Sequence, residues 1–294
     1  MQILRNGFAN ARLCLSIALA ATIATTSGCS TTPNRNQSAA NNVGCTRATL
    51  AKLSDDYLNA LTNHMSSKLP LASTVKYTEN AQLVKVGEGL WTTAGKVTFQ
   101  RKLLDTERCG ALIQAVLEES GMEKPTIFGV RLQLANKKIT EIEAYIARAK
   151  EFAQKPEGVP LQDGDDWASI LPENERSSRE AMNAAADKYF VKFDIPSTEV
   201  PFATPCNRFE NGTRTTRGDC SNYGPAGRGG MKMTHRRYPL TDIEAGITAG
   251  FVLFAGRLLD FHMFKIRNGK ITQIQAVIGP AVKSNGWDET NATP

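Results

Sequence analysis

The chain has 294 residues, 22% of them charged, with 35 Lys and Arg against 29 Asp and Glu for a net charge of +6. The basic residues are scattered, with no basic run interleaved with aromatics of the kind that tracks a phosphate backbone, so nucleic acid is not an expected partner. The length suits two domains of ordinary size, each able to bury a core.

Arg5 and Arg12 precede an apolar run from Leu13 to Ile23, then Thr25-Thr26-Ser27-Gly28-Cys29. Residues 1–28 read as a bacterial-style export signal, too short to be a span of the mature protein. Ser27-Gly28-Cys29 is similar to a lipoprotein cleavage box, with Thr26 where leucine is usual. Cys29 is therefore the expected lipidation site and anchor to the cell envelope, simple secretion into the periplasm or beyond being the alternative. Residues 29–43 are small, polar and aperiodic, as in a flexible tether.

Beyond Cys14 and Cys29, four cysteines remain: Cys45, Cys109, Cys206 and Cys220. An even number in an exported chain points to disulfides. Of the three pairings, Cys45 with Cys109 and Cys206 with Cys220 is the economical one. No Cys-x-x-Cys occurs and no histidine lies near a cysteine, so no metal is expected.

Residues 44–150 read as a first repeat. Leu50, Leu53, Tyr57, Leu58 and Leu61 share one side of a predicted helix from Thr46 to Lys68, which Pro70 stops. A loop region follows, with a helical or turn segment from Thr92 to Gln100 and a strand from Gly110 to Leu117. Val130 to Ile146 is then a predicted β-hairpin. It aligns without a gap with His262 to Ile278, where Asn268-Gly269 forms a favoured type I′ turn. A match of this length at one offset indicates a duplicated domain.

Residues 151–174, rich in Pro, Gly and Asp, are expected to be a surface linker. The second repeat, residues 175–283, begins with a helix whose predicted N-cap is Ser177 with Glu180 three residues on. Pro205 to Cys220 reads as a polar loop closed by a disulfide, and Ala245 to Phe254 as a strand. Residues 284–294 are a tail.

The run ALTNHMSSKLPLASTVKYTENAQLVKVGEGLW, from Ala60 to Trp91, resembles an uncharacterised domain family of secreted fungal and bacterial proteins. Asn207-Arg208-Phe209-Glu210-Asn211-Gly212 and Arg236-Arg237-Tyr238-Pro239-Leu240-Thr241-Asp242 resemble further motifs of that family. The family in turn resembles the nuclear-transport-factor-2-like group, which includes SnoaL-like cyclases, scytalone dehydratase and ketosteroid isomerase. The resemblance implies an α+β fold of two tandem cone-shaped domains, each a curved antiparallel sheet wrapped around an N-terminal helix. It also implies a cavity for a hydrophobic or aromatic small molecule and cofactor-free proton transfer by a lyase, dehydratase or isomerase. A non-catalytic, membrane-tethered binding protein is the contrasting expectation.

The candidate catalytic residues are His262, Asp242 and Tyr238. His262 places an ionisable group in the apolar row of Phe264 and Ile266, where the first copy has Val130; a buried histidine satisfied by one hydrogen bond is the bland reading. Asp242 could take a proton and Tyr238 donate to an oxyanion, or Arg236, Arg237 and Asp242 could be a salt-bridged strand start. Tyr77, Trp91, Arg208, Glu210, Arg237 and Phe264 are the candidate binding residues. Glu141 and Glu143 read as a solvated face, because the second copy has Gln273 and Gln275. The chain has no Gly-x-Ser-x-Gly, P-loop or dinucleotide fingerprint.

Overall fold

The computed structural model describes residues 44–151, 154–161, 166–223 and 229–287. The export signal, the tether with Cys29 and most of the tail lie outside the described residues. Among the described residues no helix is long and apolar enough to cross a membrane, which leaves membrane strands unaddressed.

Among the described residues each half supplies one α-helix and one six-stranded sheet. In the first, α1 (Arg47–Thr62) precedes β1 (Leu71–Glu79), β2 (Gln82–Leu83), β3 (Ala94–Asp105), β4 (Gly110–Glu119), β5 (Thr126–Ala135) and β6 (Lys138–Ala147), in the order β2-β1-β6-β5-β4-β3. In the second, α2 (Arg179–Val191) precedes β7 (Phe202–Glu210), β8 (Thr213–Thr216), β9 (Thr234–Asp242), β10 (Ile247–Phe254), β11 (Leu258–Arg267) and β12 (Lys270–Ala281), in the order β8-β7-β12-β11-β10-β9. The duplicated hairpins hold the same places in the two sheets. Their turns, Asn136-Lys137 and Asn268-Gly269, all have positive φ, between 51° and 72°, as a type I′ turn requires.

Several expectations are corrected. The sheets are mixed, not antiparallel: β1 runs parallel to β6, and β7 to β12. Thr92 to Gln100 is mostly the start of β3, because its residues alternate between exposed and less exposed positions along an edge strand. The segment from Pro205 is the hairpin of β7 and β8, turned at Asn211-Gly212, and the disulfide ties it. Helix α2 is capped by Ser178, whose side chain accepts from the Ala181 amide, one residue later than expected. Both expected disulfides, Cys45–Cys109 and Cys206–Cys220, are present.

Strand alternation gives each sheet two buried faces. One face packs on its own helix: Phe128, Val130, Leu132 and Leu134 of β5 join Leu50, Tyr57 and Leu61 of α1, while Phe264 and Ile266 of β11 join Met182, Tyr189 and Phe190 of α2. The other face packs on the other sheet, bringing Leu103, Leu112, Ile127 and Tyr145 against Leu240, Ala249, Phe261 and Met263. This second burial explains why β4 and β10 read as nearly continuous apolar runs. The connector between the halves is not a surface linker. Val159, Trp167 and Leu171 are buried, and Trp167 donates from Nε1 to Gln273 Oε1 at 2.9 Å.

Gly129 of β5 and Phe261 of β11 are equivalent in the duplicated hairpins and meet each other across the sheets. A Cβ on Gly129 would lie 2.0 Å from Phe261 Cε1. Equivalent residues that touch lie on the pseudo-two-fold axis, where one large side chain fits only if its mate is small.

Candidate functional site

The second half buries a polar cluster between α2 and its sheet. On β11, alternation points Asp260, His262 and Phe264 to the α2 side, and both Asp260 and His262 are fully buried. His262 Nδ1 lies 3.0 Å from Asp260 Oδ1, an ion-pair distance. The two are not aligned for a hydrogen bond, so among the described residues both Asp260 oxygens and Nδ1 lack a hydrogen-bond partner. On the opposite edge, His262 Nε2 is 3.2 Å from the Tyr189 hydroxyl of α2. Phe190 and Phe264 flank the imidazole at ring distances of 5.2 and 5.8 Å.

Arg208 and Glu210, from β7, complete the cluster and pair with each other. Burial opposes the charge of Arg208, but Tyr189, Glu210, Asp260 and Tyr223 around it raise its pKa above the usual value. Its guanidinium carbon lies 5.8 Å from the Tyr189 ring centre and 5.3 Å from that of Tyr223. Tyr223 stacks on Tyr189 at 4.5 Å and donates to the Tyr189 carbonyl at 2.8 Å. Burial raises the Tyr189 and Tyr223 hydroxyls well above the phenol range, so both are proton-bearing donors at neutral pH. The site thus holds an imidazole, an under-bonded carboxylate, two phenols and a guanidinium within an aromatic shell. Such a set can hold and move a proton at His262 Nε2 and stabilise negative charge beside Arg208.

The structure brings together His262, Phe264, Arg208 and Glu210 of the sequence candidates, and leaves others elsewhere. Asp242 accepts from Arg47 Nη1 at 2.8 Å, the Leu104 amide at 3.1 Å and the Ala245 amide at 2.9 Å, all at the junction of the two halves. Tyr238 donates to Asp187 at 2.9 Å, on the outer side of α2. Its ring covers Gly250, which lies opposite His262. Arg237 reaches Glu143 at 2.5 Å, and Arg131 binds the same carboxylate at 2.8 Å. Glu143 is therefore buried in a charge-paired junction rather than solvated, and the expected Arg237–Asp242 pairing does not form.

The first half has no such acid-base set. Phe128 and Val130 stand where Asp260 and His262 stand, and Tyr77 stands where Arg208 does, opposite Ile142 as Arg208 is opposite Ile274. Tyr77 donates to Glu79, which also accepts from the Leu90 amide at 2.7 Å, and burial raises the Glu79 carboxyl. Trp91 meets Tyr57 edge-on at 5.5 Å, fastening its loop to α1. Three clefts lined by described residues, of about 470, 490 and 390 Å³, do not involve His262. Among the described residues no cluster of His, Cys, Asp and Glu could hold a metal ion.

Sequence reasoning missed Asp260, Tyr189 and Tyr223. Asp260 was readable, being two residues before His262 and so on its face of the strand. Tyr223 carried no signal, since its place depends on the disulfide-tied hairpin.

Residues 175–278 match a family described as a domain of unknown function, DUF8021. This agrees with the uncharacterised family that the motifs resemble. Solved structures similar to the chain are of the nuclear-transport-factor-2-like and ketosteroid-isomerase-like kind. One is an NTF2-like protein of unknown function from Cytophaga hutchinsonii, 11% identical, covering 33% of this chain and 88% of its own, with a TM-score of 0.27. Another is a putative ketosteroid isomerase from Kribbella flavida, 12% identical, covering 39% and 90%, TM-score 0.27. A third is a hypothetical protein from Catenulispora acidiphila with a ketosteroid isomerase-like fold, in complex with trimethylamine; it is 17% identical, covers 32% and 83%, and has a TM-score of 0.23. No curated protein matches the chain.

Proposed function

We propose that this is an exported protein whose second half takes a cyclic or aromatic small molecule into the space between α2 and a sheet curved around it as a cone. There it carries out cofactor-independent proton transfer, as a lyase, dehydratase or isomerase. The observation that carries the reading is the buried Asp260–His262–Tyr189 set, present in one half only. Asp260 is a fully buried carboxylate that meets an imidazole nitrogen at 3.0 Å without an aligned hydrogen bond among the described residues, a costly arrangement, and such buried ionisable groups concentrate at functional sites.

In this reading His262 is the proton-transfer residue, using Nε2, with Asp260 positioning the imidazole and supporting its charged form. Tyr189 and Arg208 steady negative charge on a substrate oxygen, and the first half serves as scaffold. Export is supported by the two disulfides, and attachment through Cys29 remains part of the proposal. The domain limits 44–150 and 175–283 are those we propose for the two repeats.

A second reading, a membrane-tethered protein that binds without reacting, draws on one observation: His262 lines none of the three clefts described above, so a ligand held in one of them would not meet the imidazole. Mass spectrometry of compounds that co-purify with the exported protein, followed by turnover of the identified compound by the parent and by His262→Gln, separates the two. Turnover that falls with the variant supports the enzyme; a compound that binds and is never converted supports the binder.

A further inference from the structure

The junction of the two sheets is built twice from equivalent positions, and one copy lacks a charge. Arg237 lies opposite Phe251, which lies opposite Phe261. Arg101 lies opposite Gln114, which lies opposite Gly129. Because Gly129 and Phe261 are equivalent in the duplicated hairpins, Arg101 is the mate of Arg237. Arg237 ends on the Glu143 carboxylate at 2.5 Å. The mate of Glu143 is Gln275, opposite Met263 as Glu143 is opposite Arg131. A neutral amide therefore stands where the pseudo-symmetry calls for a carboxylate.

The surroundings of Arg101 show the deficit. It is 6% exposed, and Nη2 donates to the Val159 carbonyl at 2.7 Å. Among the described residues, Nε and Nη1 have no partner, nor has either polar atom of the Gln114 amide, nor Gln275 Oε1. The guanidinium carbon lies 5.0 Å from the Phe99 ring centre and 5.1 Å from that of Trp167. Ring faces attract a cation but recover less than full desolvation costs. Burial pulls the guanidinium down to about 9, still a cation at neutral pH.

Arg101, Phe99 and Trp167 line a cleft of about 470 Å³ together with Arg47, Lys102 and Asp166. Arg47 and Lys102 already face Asp242 and Asp55, at 2.8 and 2.6 Å, and Asp166 accepts from the Ala168 amide. Among the described residues, Arg101 is the cation of this cleft without an anionic partner.

We infer that this cleft binds a small carboxylate with an apolar or aromatic body, its carboxylate supplying to Arg101 the negative charge that Gln275 does not, its body against Trp167. The site is separate from the His262 cluster and does not depend on the function proposed for it.

Calorimetric titration of the full mature chain with benzoate, acetate and sulfate, at constant ionic strength, tests it. The expected result is saturable binding of one benzoate per chain, tighter than acetate, with sulfate weaker still. Arg101→Gln removes the cation, and Gln275→Glu supplies the carboxylate from within. Each should weaken benzoate by about ten-fold or more, and Gln275→Glu should also raise the melting temperature, which shows that it folds. Three results overturn the inference: no saturable binding, equal response to all three anions, or unchanged affinity in Gln275→Glu.

Discussion

Arg179, the first residue of α2, holds Asp105 at the end of β3 in the other half, with Nη1 and Nη2 at 2.7 and 2.8 Å from the two carboxylate oxygens. The mirror contact joins Arg47, the first residue of α1, to Asp242 at the end of β9, at 2.8 Å. Each carboxylate also accepts a backbone amide from the opposite half, Thr241 for Asp105 at 2.7 Å and Leu104 for Asp242 at 3.1 Å. The halves are thus clasped reciprocally, as two subunits are across an isologous interface. Asp242 is an interface residue by this geometry.

Removing one member of the more buried clasp leaves an uncompensated charge. Arg179→Ala should destabilise the protein by about 3–5 kcal/mol, read by chemical denaturation. Arg47→Ala should cost less, because Arg47 is 27% exposed and Arg179 only 10%. Equal losses would contradict the assigned difference in burial.

At the pseudo-axis, Gly129→Ala should cost about 1–3 kcal/mol by overpacking against Phe261. Phe261→Ala alone should cost about 3–5 kcal/mol through the cavity it leaves. The double variant should be more stable than the sum of the two losses implies, since the added methyl enters the vacated space. Additive losses would place the two residues apart.

What the sequence made legible was local. The hairpins, their type I′ turns, the helical stripe of Leu50, Tyr57 and Leu61 and the disulfides all follow from spacing within one half. The junction was not legible, because its contacts join distant residues. Glu143 looked solvated next to Gln275 in the aligned copy, yet that difference records one charge pair made and one left out. The alternation that singled out His262 was sound, and it would have found Asp260 if carried two residues further.

Acid should loosen the junction through Glu143. Burial alone would raise its carboxyl, but Arg237 and Arg131 outweigh that and hold it below the usual range. A depressed folded-state value gives stability that is present above the unfolded value of about 4.3 and is lost as pH falls through the folded one. Glu143→Gln should therefore lower stability at neutral pH, by about 3–5 kcal/mol, and flatten the decline in acid. Parallel parent and variant curves across that window would remove Glu143 from the acid response.

The disulfides close loops of different length, with separations of 64 residues for Cys45–Cys109 and 14 for Cys206–Cys220. Loop entropy assigns them about 4 and about 3 kcal/mol. Replacing both members of each pair by Ala should give losses in that order by denaturation. The Cys206 and Cys220 change should also release Tyr223 from Tyr189, seen as a change in near-ultraviolet circular dichroism.

The most direct measurement of the central claim is the rate at which the protein exchanges solvent deuterium into the small molecule that co-purifies with it, followed by mass spectrometry. This reads proton transfer before the full reaction is known. The parent should exchange at a defined carbon, and His262→Gln should slow that exchange by about 10²–10⁴-fold with folding intact. Asp260→Asn should slow it while shifting its pH profile, the mark of a positioning residue. Exchange by His262→Gln at the parent rate, or none by the parent, would contradict the assignment of His262 as the residue that moves the proton.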